Sequence, residues 1–74
     1  MKPQSVKTVC KSLKSLGFEF VRQKGSHLCF AHPDGRKTTV QSHSGEDIGP
    51  KLLNKIAKDI GIDKENFERI LSKY

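Results

Sequence analysis

The sequence predicts a small α+β domain: one helix, a three-stranded antiparallel sheet with its helices on one face, a second helix, and a short extra helix at the C-terminus. Three observations carry this. Apolar residues recur at helical spacing near both ends of the chain, three short alternating segments lie between, and the links joining those segments are too short for parallel crossovers. With 74 residues, the order α-β-β-β-α plus a terminal α describes a single domain over residues 1–74.

The first helix is predicted over Ser5 to Leu16. Val6, Val9, Cys10, Leu13 and Leu16 form its apolar stripe, and Lys7, Lys11 and Lys14 fall outside it. Ser5 suits the N-cap and Gly17 the position just past the end. Phe18 to Arg22 reads as the first strand, with Phe18 and Phe20 on one face and Glu19 and Val21 on the other. Gln23-Lys24-Gly25-Ser26 makes the connection. His27 to Ala31 is the second strand, with Leu28 and Phe30 pointing one way and His27, Cys29 and Ala31 the other. His32-Pro33-Asp34-Gly35-Arg36 is a turn, because proline and Asp-Gly both favour reversal. Lys37 to Gln41 is the third strand, with Thr38 and Val40 inward. Phe18, Phe20, Leu28, Phe30 and Val40 then supply one apolar face for the helices to cover. The opposite face, with His27, Lys37 and Thr39, is expected to be wet.

Ser42 to Gly49 reads as a polar loop. Pro50 opens a helix that runs to about Ile60, with Leu52, Leu53, Ile56, Ala57 and Ile60 as its stripe. Gly61 stops it. Asp63 caps the final short helix, whose Phe67, Ile70 and Leu71 make a contact face.

The formal net charge is +6, and it is unevenly placed. Residues 1–40 hold eight Lys or Arg against two acidic residues, whereas residues 41–74 hold six of each. A localised excess focuses positive potential on one part of a small surface. It suits a phosphate-bearing or acidic partner, and equally a solvated basic face. No apolar run approaches the roughly 20 residues that cross a bilayer, and no signal-like stretch follows Met1, so a cytoplasmic protein with no membrane partner is expected. Cys10 and Cys29 lack metal-ligand spacing and lie among apolar residues, as reduced thiols do.

A chain this short has little apolar area with which to enclose a deep cavity, so function is expected on an open surface. The sequence carries no Gly-rich phosphate loop, no paired His or Cys motif and no paired carboxylates for a two-metal site, and no cofactor is implied. His27 is the side chain best suited to chemistry. It follows Gly25-Ser26, points away from the core, and imidazole accepts a proton near neutrality. Arg22 and Lys24 are close in sequence and suit a phosphate. Together they form a kit for cleaving RNA through its own 2′-hydroxyl. A histidine that only anchors the turn or sits on the surface fits the same residues. Ser26 suits a phosphate or the turn itself. Lys37, beside Arg36, suits a backbone phosphate or a solvated pair. His43, in the loop after the third strand, could approach the same face. His32 before Pro33 reads as a turn residue.

The stretch Phe18-Glu19-Phe20-Val21-Arg22-Gln23-Lys24-Gly25-Ser26-His27-Leu28-Cys29-Phe30 resembles the central part of the HicA-type toxins. So does the continuation His32-Pro33-Asp34-Gly35-Arg36-Lys37-Thr38-Thr39-Val40. A polar loop containing His43, a helix opening after Gly49, and Gly61-Ile62 before an acidic helix start extend the likeness over about residues 5–71. The chain departs from the family's usual residues at Leu28, Ala31 and Gln41. The resemblance implies a fold similar to a double-stranded-RNA-binding domain. It implies an mRNA-cleaving endoribonuclease that blocks translation and is held inactive by a HicB-like antitoxin. The family's active histidine, in Gly-Ser-His, lands on His27. Arg22, Lys24, Ser26, Lys37 and His43 are then candidate contacts to the phosphates of single-stranded RNA. Two other readings remain: a non-catalytic RNA-binding module, for which Lys51, Lys55 and Lys58 are a possible basic helix, and a structural partner of an acidic protein.

Overall fold

The computed structural model describes residues 1–42 and 45–74. The order is α1 (Val6–Ser15), β1 (Glu19–Lys24), β2 (His27–Ala31), β3 (Lys37–Gln41), α2 (Pro50–Ile60) and α3 (Lys64–Leu71). The strands form one antiparallel sheet in the order β1-β2-β3. The α+β fold expected from the sequence is therefore present, including the additional C-terminal helix.

Local chemistry sets the ends of the helices. The Ser5 hydroxyl accepts from the Thr8 N–H at 3.1 Å and starts α1. Gly17, at φ +92°, and the Phe18 N–H donating to the Leu13 carbonyl at 3.0 Å end it. Pro50 occupies the first turn of α2, where its missing N–H removes no helical bond, and Gly61 stops that helix in the left-handed region. The Asp63 carboxylate accepts from the Asn66 N–H at 2.8 Å and starts α3.

The helices cover the face formed by Phe30, Thr38 and Val40. Val9 and Leu13 from α1, Leu53, Ile56 and Ile60 from α2, and Phe67 and Leu71 from α3 join them in one buried cluster. Ser12 is also fully buried, because its hydroxyl donates to the Thr8 carbonyl at 2.9 Å and leaves no polar atom unpaired. Ile48, which the sequence reading left in a polar loop, is buried. Residues 4 and 48 exchange backbone hydrogen bonds of 3.0 and 2.7 Å, tying the N-terminal segment to the start of α2.

Strand β1 departs from the sequence reading in length and in phase. It begins at Glu19 and runs to Lys24, so the connection to β2 shrinks to Gly25-Ser26. Gly25, at φ +60°, takes the first central position of this two-residue turn, the pattern of a type II′ hairpin. Pairing runs Phe20 to Phe30, then Arg22 to Cys29 and Lys24 to His27, with a bulge at Val21. The bulge inserts one residue and reverses the alternation beyond it. Strict alternation would place Arg22 and Lys24 on the side of Phe20. The bulge moves both to the side of His27 and Cys29.

Phe20 is the second correction. It shares the face of Phe30 and meets its ring edge-on at 5.9 Å, yet it remains 49% exposed. The helices pack mainly against β3, α1 reaches β1 more lightly, and β1 forms one edge of the sheet.

Candidate functional site

On the face away from the core, the two-residue turn brings Lys24 directly opposite His27. Both side chains line a groove of about 330 Å3. Its sheet side continues through Cys29, Thr39 and Gln41, which are partners or same-face neighbours in the β2–β3 ladder: His27 pairs with Gln41 and Cys29 with Thr39. Its other wall comes from α2 and the segment before it, as Ile48, Leu52, Lys55 and Ile56. The groove thus has an apolar helix-side wall, a more polar sheet side, two lysines among its lining residues and an exposed imidazole.

A second depression, of about 340 Å3, adjoins the first and shares Cys29 and Thr39 with it. Arg22 and Lys37 line it from the two outer strands, with Val21 and Ala31. Among the described residues no carboxylate lines either depression, so Arg22, Lys24, Lys37 and Lys55 give both a positive character. Among the described residues, no three His, Cys, Asp or Glu side chains converge on a point where a metal could be held.

Four of the residues singled out in the sequence therefore meet on one face: His27 and Lys24 in the groove, Arg22 and Lys37 beside it. Ser26 does not line either depression. It is half-buried in the hairpin turn, where its carbonyl accepts from the Ser42 N–H at 2.7 Å. His43 lies outside the described residues. The sequence reading did not place Lys55, Leu52 or Gln41 at this site. Their helix and strand were legible, but nothing local signals that α2 stands beside the outer face of β3.

The other candidate histidine is engaged elsewhere. The His32 Nδ1 accepts from the Asp34 N–H at 3.1 Å, and its ring packs edge-on against Phe18 at 5.0 Å. Arg36 closes the same turn. Its Nε donates to the Asp34 carboxylate at 2.8 Å, its guanidinium lies 5.2 Å from the centre of the Phe18 ring, and its Nη1 donates to the Ile60 carbonyl. The Arg36 N–H, and secondarily its guanidinium, hold the Asp34 carboxyl below the usual carboxylate range. This cluster joins the β2–β3 turn to the end of α2.

The two thiols are unpaired, and both are half-buried. Burial pushes the Cys10 thiol above its ordinary value, partly opposed by the nearby Lys14 charge.

Comparison with known families tests the resemblance noted above. The family described as HicA toxin of bacterial toxin-antitoxin matches residues 6–62, from the start of α1 to just past α2. The chain belongs to the HicA toxin family. No curated protein matches it. The HicA match covers the entire groove and stops before α3, although Phe67 and Leu71 of that helix are buried in the same core. Among the described residues, no helix is long and apolar enough to cross a membrane.

Proposed function

We propose that this chain is the RNA-cleaving toxin of a toxin–antitoxin pair, an endoribonuclease that cuts mRNA in the cytoplasm and blocks translation. The observation that carries the reading is His27, exposed at the groove and paired across the hairpin with Lys24, in a chain of the HicA family. RNA carries its own nucleophile, so a shallow basic groove with one proton acceptor suffices. His27 takes the proton of the 2′-hydroxyl as that oxygen bonds to the adjacent phosphorus. The bond from phosphorus to the 5′-oxygen breaks, and that oxygen takes a proton from water. The products are a 2′,3′-cyclic phosphate and a 5′-hydroxyl. No metal is needed to generate the nucleophile.

Arg22, Lys24 and Lys37 hold phosphates of the strand across the two depressions. Ser26, beside His27 in the chain, and His43 are further candidate phosphate contacts in this reading. Single-stranded RNA suits this chemistry, because the attacking oxygen must swing in line with the leaving oxygen and an A-form helix resists that rotation. A HicB-like antitoxin neutralises the toxin by covering the basic face, which would exclude RNA and obstruct His27 together.

The test compares the wild type with His27→Ala on an end-labelled mRNA, both in EDTA. Cleavage by the wild type and a loss of about 10²- to 10⁴-fold in the variant are expected. The variant should remain folded, since an exposed side chain contributes little packing. Undiminished cleavage by folded His27→Ala would end the case for His27 and make His43 the next candidate, and a wild type that binds RNA without cutting it would leave an RNA-binding module. A 3′-hydroxyl with a 5′-phosphate at the cut would exclude internal attack by the 2′-oxygen.

A further inference from the structure

Lys55 stands apart from the other lysines of α2 in where its side chain reaches. Lys51, Lys55 and Lys58 are spaced for one helix face and line a shallow depression with Asn54. Only Lys55 of the three also lines the groove of His27. It enters from the helix wall, whereas Lys24 enters from the sheet. A phosphate lying between them would meet a cation on each side.

A hydrogen-bonded relay that begins in the core reaches Lys55. The hydroxyl of buried Thr38 donates to Asp59 Oδ2 at 3.1 Å, which anchors that carboxylate to β3. Lys55 Nζ donates to the same oxygen at 3.3 Å, one helical turn away. An exposed pair at this spacing is weak, so Asp59 orients the ammonium without consuming it. An ammonium has three N–H donors, and Asp59 occupies one. The other two remain for phosphate oxygens.

We infer that Lys55 is a phosphate ligand of the cleavage site, donating to a non-bridging oxygen as the 2′-oxygen adds and negative charge builds on the phosphoryl group. The inference rests on the proposed ribonuclease activity. Lys55 transfers no proton in this role. It lowers the barrier because a cation beside apolar Leu52 and Ile56 meets charge that develops during the reaction. Asp59 is a positioning residue acting through Lys55.

The experiment measures single-turnover cleavage of an end-labelled single-stranded RNA at saturating protein. It compares wild type, Lys55→Gln, Lys55→Arg, His27→Ala and Lys11→Gln. Lys11→Gln makes the same charge change on the exposed face of α1. Lys55→Gln should slow the saturated rate by about 10- to 100-fold, with unchanged thermal unfolding. Lys55→Arg should recover most of that loss, and Lys11→Gln should cleave like the wild type. A Lys55→Gln rate equal to that of Lys11→Gln, with His27→Ala inert, would overturn the role of Lys55 and leave the ribonuclease reading standing. An unchanged saturated rate with a higher protein concentration needed for saturation would do the same, because it would make Lys55 an ordinary binding contact. A wild type that does not cleave would overturn both.

Discussion

Lys24 and His27 are a directly opposed pair that closes the hairpin around Gly25 and Ser26. The two-residue turn opposes them, and the bulge at Val21 lets Phe20 share the face of Phe30 while Lys24 stays on the face of His27. Arg22 lies past the same bulge and pairs with Cys29. The basic side chains of an edge strand are thereby gathered around an imidazole instead of being turned toward the helices.

If these cations hold RNA phosphates, each should appear in the salt dependence of binding. Lys24→Gln and Lys37→Gln should each reduce the slope of log affinity against log salt by about 0.7 for single-stranded RNA. Lys7→Gln, on the exposed side of α1, should leave the slope as it is. The measurement is a fluorescence titration at several salt concentrations, made in the His27→Ala background so that the RNA stays intact. Identical slopes for Lys24→Gln and Lys7→Gln would remove Lys24 from the interface.

Gly17 and Gly61 both end helices at positive φ, +92° and +70°, but their surroundings differ. A Cβ at Gly17 would lie 2.9 Å from His32 Nε2, whereas one at Gly61 meets nothing within 4 Å. Gly61→Ala should cost about 1–2 kcal/mol from backbone conformation alone. Gly17→Ala should cost more, because His32 must also leave Phe18 and the Asp34 N–H. Urea unfolding of the two variants checks this order, and equal losses would show that His32 yields freely.

Acid should loosen the turn between β2 and β3. Asp34 is held below the usual carboxylate range by the Arg36 N–H first and its guanidinium second. A depressed carboxyl contributes stability that is fully present above its unfolded value and is lost as pH falls through its folded value. Asp34→Asn should therefore melt below the wild type at neutral pH, and the two melting temperatures should converge in strong acid. A gap that stays constant across that range would contradict the ionic role of Asp34.

The family match ends at residue 62, yet Phe67 is fully buried. Phe67→Ala should destabilise the domain by about 3–5 kcal/mol, a loss large enough to unfold a chain of this length at moderate temperature. Thermal unfolding followed by circular dichroism measures it. A near-neutral change would make α3 an accessory rather than part of the core.

The sequence by itself determined the elements whose causes are local. Ser5, Pro50 and Asp63 start helices through their own backbone and side-chain chemistry, and Gly17 and Gly61 end them. The apolar stripes of α1 and α2, the Pro-Asp-Gly reversal, and the outward phase of His27 are likewise legible in short windows. Only the tertiary structure decided the phase of Arg22 and Lys24, because a bulge is a relation between two strands and leaves alternation within β1 looking regular. Phe20 stays exposed, and Ser12 and Ile48 are buried, because helix coverage and a pairing between residues 4 and 48 are distant in sequence. The second wall of the groove has the same origin. Lys55 and Leu52 reach His27 because α2 packs along β3, and that packing is driven by burying Leu53, Ile56 and Ile60 on the shared core rather than by anything near residue 27.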